Sequence, residues 1–213
     1  MNLWVEAFLA ILVTYAVRDL GLSAAATGIV LAGSNVGYLL GSLLVPRLNR
    51  TWGIGRSIAL GAALQIGFVV ATLARSGHPI LWLTLGLAIS AAGTGIWNVD
   101  AVSLRQATTP APMLARMNAS NQFLIWGTMP LGAALGAWLA SWIGLADTAL
   151  LAAVAAPLSA LPVVFSPVRG VGAIPDHEPA AERPRPAPSE TGRPQPPPPV
   201  LDPPEVAATG GVL

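Results

Sequence analysis

Long apolar runs alternate with short polar strings along this chain. The runs cover approximately residues 2–17, 24–46, 56–75, 79–103, 119–142 and 146–166. Between them stand "RDLGLS" (18–23), an arginine-bearing stretch after Pro46, "RSGHP" (75–79), "SLRQATTPAPMLARMNAS" (103–120) and "GLAD" (144–147). A helix needs roughly 20 mostly apolar residues to cross a bilayer. The pattern therefore predicts an all-α, polytopic membrane helical bundle of about six transmembrane helices over residues 1–166. The first run is short and contains Glu6, and the fourth ends near Asp100. The longest connection predicts a brief surface helix, with Thr109 as N-cap and Pro110 as its first residue.

The pattern stops at Pro167. Residues 167–213 hold 13 prolines, including "PQPPPP" (194–199), and no aromatic residue. Such a segment buries too little to fold and is expected as a disordered, extended Pro-rich cytoplasmic tail. It reads either as a linker or as a ligand for a proline-binding groove.

Composition supports the membrane reading. The chain is 54% hydrophobic and 10% charged, against about 25% charged for a soluble domain. Arginine placement sets the expected orientation. Arg47, Arg50, Arg56, Arg105, Arg116 and Arg169 fall on one side of the alternating spans, and only Arg18 and Arg75 on the other. This predicts a multi-pass protein of the inner (plasma) membrane with both termini cytoplasmic. The net charge of +1 gives no electrostatic footprint for nucleic acid. With no cysteine, disulfides and thiolate metal sites are excluded. No GxSxG or His-Glu-x-x-His is present, and the two histidines, His78 and His177, lie in a loop and in the tail. The expectation is no enzyme, no cofactor and no metal.

Four features carry candidate chemistry or packing. In "GSLLVPRLNRTWGIGR" (41–56), Gly53 and Gly55 could open a GxGxxG, but Ile58 occupies the third glycine position and no strand precedes it, so a dinucleotide loop is rejected. The second run places Gly33, Gly37 and Gly41 on one helix face, a seam for close helix approach. Asn35 falls on the opposite face, as a cavity residue or an interhelical hydrogen-bond partner. The fifth run repeats the seam with Gly132, Gly136 and Ala140. Pro130 predicts a kink there, and Gln122 and Trp126 share a face just before it. Glu6 is the one acid deep within a run. Burying its charge costs at least about 2.5–3.5 kcal/mol, so it is protonated, paired or in a water-filled path, unless it sits solvated at the cytoplasmic edge. Asn98 and Thr94 share a face in the fourth run. Asp100 points elsewhere and is expected to pair with a loop arginine, and Gln65 to act as interhelical glue.

The stretches "LGLSAAATGIVLAGSNVGYLLGSLLVPRLNRTWGIGR" and "NVDAVSLRQATTPAPMLARMNASNQFLIWGTMPLGAALGAWLASWIG" resemble the C-terminal six-helix half of a major facilitator superfamily transporter. The nearest resemblance is to the enterobactin-exporter-like and macrolide-efflux-like branch. It covers residues 1 to about 168. It implies twelve spans in two six-helix halves and alternating access to a central cavity. By this resemblance spans 1, 2, 4 and 5 line the cavity, spans 3 and 6 face lipid, and Glu6, Asn35, Asn98, Gln122 and Trp126 are the substrate- or proton-coupling candidates. Gly41, Arg47, Gly53 and Arg56 resemble the family's cytoplasmic loop signature, glycine-x-x-x-Asp-Arg-x-Gly-Arg. Its aspartate is absent, with Val45-Pro46 in its place, so the acid latch of that loop is expected to be missing.

The implied activity is secondary, proton-coupled efflux of a small-molecule amphipathic substrate across the lipid bilayer, by a truncated or half-length version. Its partner would be a second six-helix half or a second copy in a homodimer, because the glycine seams would otherwise face nothing. A non-transporting membrane scaffold with a partner-binding tail and an inactive gene remnant are the alternatives.

Overall fold

The computed structural model describes residues 1–165, and the expected tail over 167–213 lies outside the described residues. Every described element is helical. The first rod is α1 (Asn2–Arg18). Leu22 N–H donates to the Ala16 carbonyl beyond its end, and Gly21 takes φ 65°. Ser23 then caps α2 (Ala24–Trp52), its Oγ accepting from Ala26 N–H at 3.2 Å. A Ser N-cap satisfies one of the amides that the first helical turn leaves free.

α2 runs through Pro46, where the apolar run stops, and continues to Trp52. A proline inside a helix removes one backbone bond without necessarily ending it. The break comes at Gly53, whose φ of 80° and ψ of 161° suit glycine. The long polar stretch is thus mostly helix, and its turn is one residue.

The third rod is segmented. α3 (Ile54–Ala63) is followed by a 3₁₀ turn at Leu64–Ile66, α4 (Gly67–Thr72) and a second 3₁₀ turn at Leu73–Ser76. His78, at φ 49°, turns the chain into α5 (Pro79–Thr108), which has proline at its start. The brief surface helix expected within 103–120 does not form as a separate element. Thr109 and Pro110 alone join α5 to α6 (Ala111–Ile143). The cause is local: the residue before a proline is pushed out of helical geometry, and Thr109 is extended at φ −103° and ψ 126°. Pro110 then serves as N-cap, and residues 111–118 are the first turns of α6 itself. At 33 residues, α6 is about 50 Å long, and its early turns with Arg116 extend beyond a hydrocarbon core of about 30 Å. Gly144, at φ 86°, leads into α7 (Leu145–Val164).

Five of these rods are long and apolar enough to cross a membrane: α2, the combined Ile54–Ser76 rod, α5, α6 and α7. α1 has 17 residues, or about 25 Å, just short of a full span. It lies parallel to α6, its Leu3, Glu6 and Ala7 meeting Gly132 and Gly136.

The glycine seams do not face empty space, contrary to expectation. Gly33 meets Thr84, Gly37 meets Ala88 and Gly41 meets Ala92, all on α5. A Cβ on Gly37 or Gly41 would stand inside the backbone of its partner. At Gly132 it would lie 2.6 Å from the Leu3 carbonyl oxygen. Both seams are therefore filled within the chain, as α2–α5 and α1–α6 pairs. The third rod and α7 back these pairs. Gly61 abuts Gly93, and Gly67 abuts Gly86. Phe8 of α1 meets Phe68 of α4 at 5.0 Å between centroids with the rings tilted by 58°, in one buried cluster with Ala149, Ala152, Ala153 and Ala156 of α7. The third rod is the best covered, exposing only Arg56, Ala63, Ile66, Leu73 and, at its end, Arg75 and Ser76.

Candidate substrate groove

The two glycine-sealed pairs leave an open groove of about 590 Å³ between them. It is lined from α1, α2, α5 and α6, with Phe68 of the third rod at its floor. This is the set of spans that the resemblance implied would face a cavity. Three of the expected residues line it: Glu6, Asn35 and Asn98.

Their bonding differs. Asn98 Nδ2 donates to the Tyr38 hydroxyl at 3.5 Å, a long contact joining α5 to α2. Asn35 Nδ2 donates to the Leu31 carbonyl of its own helix at 3.0 Å, so its amide makes no bond to another helix. Glu6 has no hydrogen bond or ion pair among the described residues, and no arginine or histidine lines the groove. Its Cβ stands beside the Gly132 step of α6. Gly132 lies roughly 20 Å along the axis from residue 119 and roughly 15 Å from residue 142, at about 1.5 Å per residue. Glu6 is therefore level with the middle of the expected fifth span.

Gln122 and Trp126 are not in the groove. Both are exposed, Trp126 by 66%, and α6 turns Asn121, Ile125 and Met129 inward instead. One residue of helical phase, about 100°, separates the two sets. Sequence reasoning also missed Asn2, whose Nδ2 donates to Thr128 Oγ1 at 2.8 Å and to the Ile125 carbonyl at 3.2 Å. Those two bonds fix the start of α1 against α6 at the groove's rim. Tyr38 and Ser34 complete the α2 wall. Behind it, Gln65 Nε2 donates to Thr94 Oγ1 at 3.2 Å, bridging the third rod to α5 as expected of interhelical glue.

The loop-signature residues separate by role. Gly41 packs on α5 and Gly53 makes the turn, while Arg47 and Arg56 are exposed at the same end of the bundle. Asp100 does not pair with a loop arginine. It is fully buried and accepts from Asn49 Nδ2 at 2.7 Å, with Ser57 of α3 facing the same carboxyl. Because α2 continues through Pro46, it carries Asn49 into line with Asp100 while Arg47 and Arg50 of the same helix and Arg56 of α3 are exposed. The one ion pair among the described residues is Arg75–Asp147, at 3.9 Å and well exposed.

The fold and groove together define a multi-pass helical membrane protein with a largely apolar groove that carries Glu6 and several amides. The Major Facilitator Superfamily model matches residues 1–209. No curated protein and no solved structure matches the chain. The chain belongs to the major facilitator superfamily, whose members are transmembrane transporters and not enzymes.

Proposed function

We propose that the groove is one wall of the substrate pathway of a secondary, proton-coupled exporter of small amphipathic molecules, of the enterobactin-exporter-like and macrolide-efflux-like kind. The supporting observation is Glu6, a carboxylate with no partner among the described residues, level with the middle of the expected fifth span in a groove lined otherwise by amides, hydroxyls and apolar side chains. An ionised group in that position needs water or a proton. Glu6 takes a proton from one side and releases it to the other as the groove changes the side it faces. Asn35, Asn98 and Asn121 offer both donors and acceptors to an amphipathic substrate, and Leu9, Leu87 and Met129 meet its apolar part.

A second six-helix bundle closes the groove, either another half or a second copy. Amides turned toward acyl chains would lose their hydrogen-bond partners, so this face suits a polar partner wall or water. Arginine bias puts the end bearing Arg47, Arg50, Arg56 and Arg116 in the cytoplasm of an inner membrane, with both termini there.

The test is reconstitution into liposomes with an imposed pH gradient, following a fluorescent amphipathic dye. Glu6→Gln is expected to bind dye and insert normally while losing gradient-driven movement. Gradient-driven flux at the native rate in that variant would sink the coupling role.

A further inference from the structure

We propose that the groove selects protonated amines: amphipathic molecules whose ammonium group carries N–H donors, in preference to quaternary ammonium ions and to anions. The inference rests on the groove being a substrate pathway and names the chemical class that the pathway admits.

Most polar groups of the groove have committed their protons within the protein. Asn2 Nδ2 donates to the Ile125 carbonyl and to Thr128 Oγ1, which uses both of its hydrogens. Asn35 Nδ2 donates to the Leu31 carbonyl, and Asn98 Nδ2 to the Tyr38 hydroxyl. The single hydroxyl protons of Ser34 and Thr94 go to the Leu31 and Ser90 carbonyls. Trp4 and Val5 N–H, in the first turn of α1, both donate to the Met1 carbonyl. A carbonyl only accepts, so the Asn2 and Asn35 amides cannot be reversed. The oxygens are left over: no donor among the described residues reaches Oδ1 of Asn2, Asn35 or Asn98. Glu6 adds a carboxylate, which only accepts when ionised, and no arginine or histidine lines the groove. Met1 borders the rim, and no ion pair joins its amino group to Glu6.

This surplus of acceptors discriminates between ligand classes. A sulfonate, carboxylate or phosphate brings further acceptors, and a second negative charge beside Glu6. The donors still free are neutral: one N–H each of Asn35 and Asn98, the Asn121 amide and the Tyr38 hydroxyl. Neutral donors in an apolar groove do not repay the desolvation of an anion. A quaternary ammonium ion matches Glu6 in charge but offers no hydrogen to the amide oxygens. A protonated amine does both, with one N–H in a charge-assisted bond to Glu6 and the others free for the amides. The placement allows this. Asn2 and Glu6 are four residues apart on α1 and share a face, and Asn35 and Asn98 line the groove from α2 and α5. The groove volume of about 590 Å³ falls within the roughly 300–1,000 Å³ of sites for drug-sized molecules.

The test measures binding to the full-length chain in lipid nanodiscs. Three fluorescent probes share one dansyl-pentyl body and end in an ammonium, a trimethylammonium or a sulfonate group. Asn121→Ala and Trp97→Ala mark the groove, and only binding that they weaken is assigned to it. The ammonium probe is expected to bind at least about tenfold tighter than the sulfonate probe, and a few-fold tighter than the trimethylammonium probe. Glu6→Gln is expected to bring the ammonium-to-sulfonate ratio close to one, while a dye without charge is indifferent to that change. Sulfonate or trimethylammonium bound as tightly as ammonium, with the groove variants weakening all three, would overturn the proposal and leave the groove as a substrate site. An unchanged ratio in Glu6→Gln would overturn it in the same way. Probe binding that neither groove variant weakens would overturn the groove reading itself, and the proposal with it. The three native affinities decide between the ligand classes even if the Glu6 variant does not fold.

Discussion

One substitution, made at two glycines of α2, should move stability in opposite directions. A Cβ on Gly37 would lie 2.7 Å from both the carbonyl carbon and the Cα of Ala88, and closer still to its carbonyl oxygen. Comfortable carbon–carbon contacts begin at about 3.5 Å, so α2 and α5 must part locally by roughly an ångström. No side-chain rotamer can relieve the clash, because the atoms met are backbone. Overpacking of a well-fitted contact costs about 1–3 kcal/mol, and Gly37→Ala should fall at the upper end, since the flanking Gly33 and Gly41 contacts are strained by the same separation. Gly28 is nine residues earlier on the same helix with nothing within 4 Å of an added Cβ. There the methyl group only restricts the unfolded chain, and Gly28→Ala should gain up to about 1 kcal/mol from helix propensity. The two variants should therefore differ by about 2–4 kcal/mol. Reversible unfolding in mixed micelles, followed by fluorescence of the seven tryptophans, measures the gap. Gly37→Ala as stable as the native chain, or both variants shifting the same way, would refute the packing argument.

Other perturbations separate neighbouring residues. Asn121→Ala should weaken dye binding several-fold and Gln122→Ala should leave it unchanged, because only Asn121 lines the groove; equal effects would show that the phase of α6 is misassigned. Arg75→Ala should cost less than about 1 kcal/mol in the same unfolding assay, as expected of an exposed ion pair, and a larger loss would mean that Arg75 acts through more than Asp147. Trp97 borders the groove, so Trp97→Ala should lower dye affinity while Trp142→Ala, at an exposed helix end, should not; titration of dye fluorescence checks both.

What could be read from sequence followed the strength of the local pattern. The apolar runs were the clearest signal, and only the first, short and carrying Glu6, falls below a full span. The glycine seams were legible from spacing, although which helix fills each one was not, since spacing marks a face and names no partner. Glu6 stood out as a lone acid in an apolar run, and Asn35 and Asn98 by their helix face and by the family resemblance. α6 gave no such contrast. Gln122 and Asn121 are adjacent and polar, and Trp126 and Ile125 are adjacent and apolar. Nothing local therefore fixes which pair turns inward. That phase is set by the Asn2 bonds to Thr128 and Ile125 and by the Gly132 contact with Leu3, all across more than 100 residues of sequence. The surface helix at 103–120 failed for the opposite reason. Its cap signal is real, but Pro110 starts a long helix and not a short one.

Asp100 shows how one register joins the packing to the chemistry. Gly33 meets Thr84, Gly37 meets Ala88 and Gly41 meets Ala92, each a separation of 51 residues. Asn49 and Asp100 are also 51 apart. Between these steps, at the same separation, stand Val45 and Ile96, both buried. The α2–α5 interface thus keeps one parallel register at every fourth residue from Gly33 to Asn49, and the acid–amide pair is its last step. A helix that ended at Pro46 would place Asn49 in a loop, free of that register, and an arginine would be the natural partner for the acid. Because α2 continues through the proline, Asn49 is carried into line opposite Asp100. The loop signature lacks its own aspartate, yet an acid does reach this junction, delivered by α5 through the register that the glycines set.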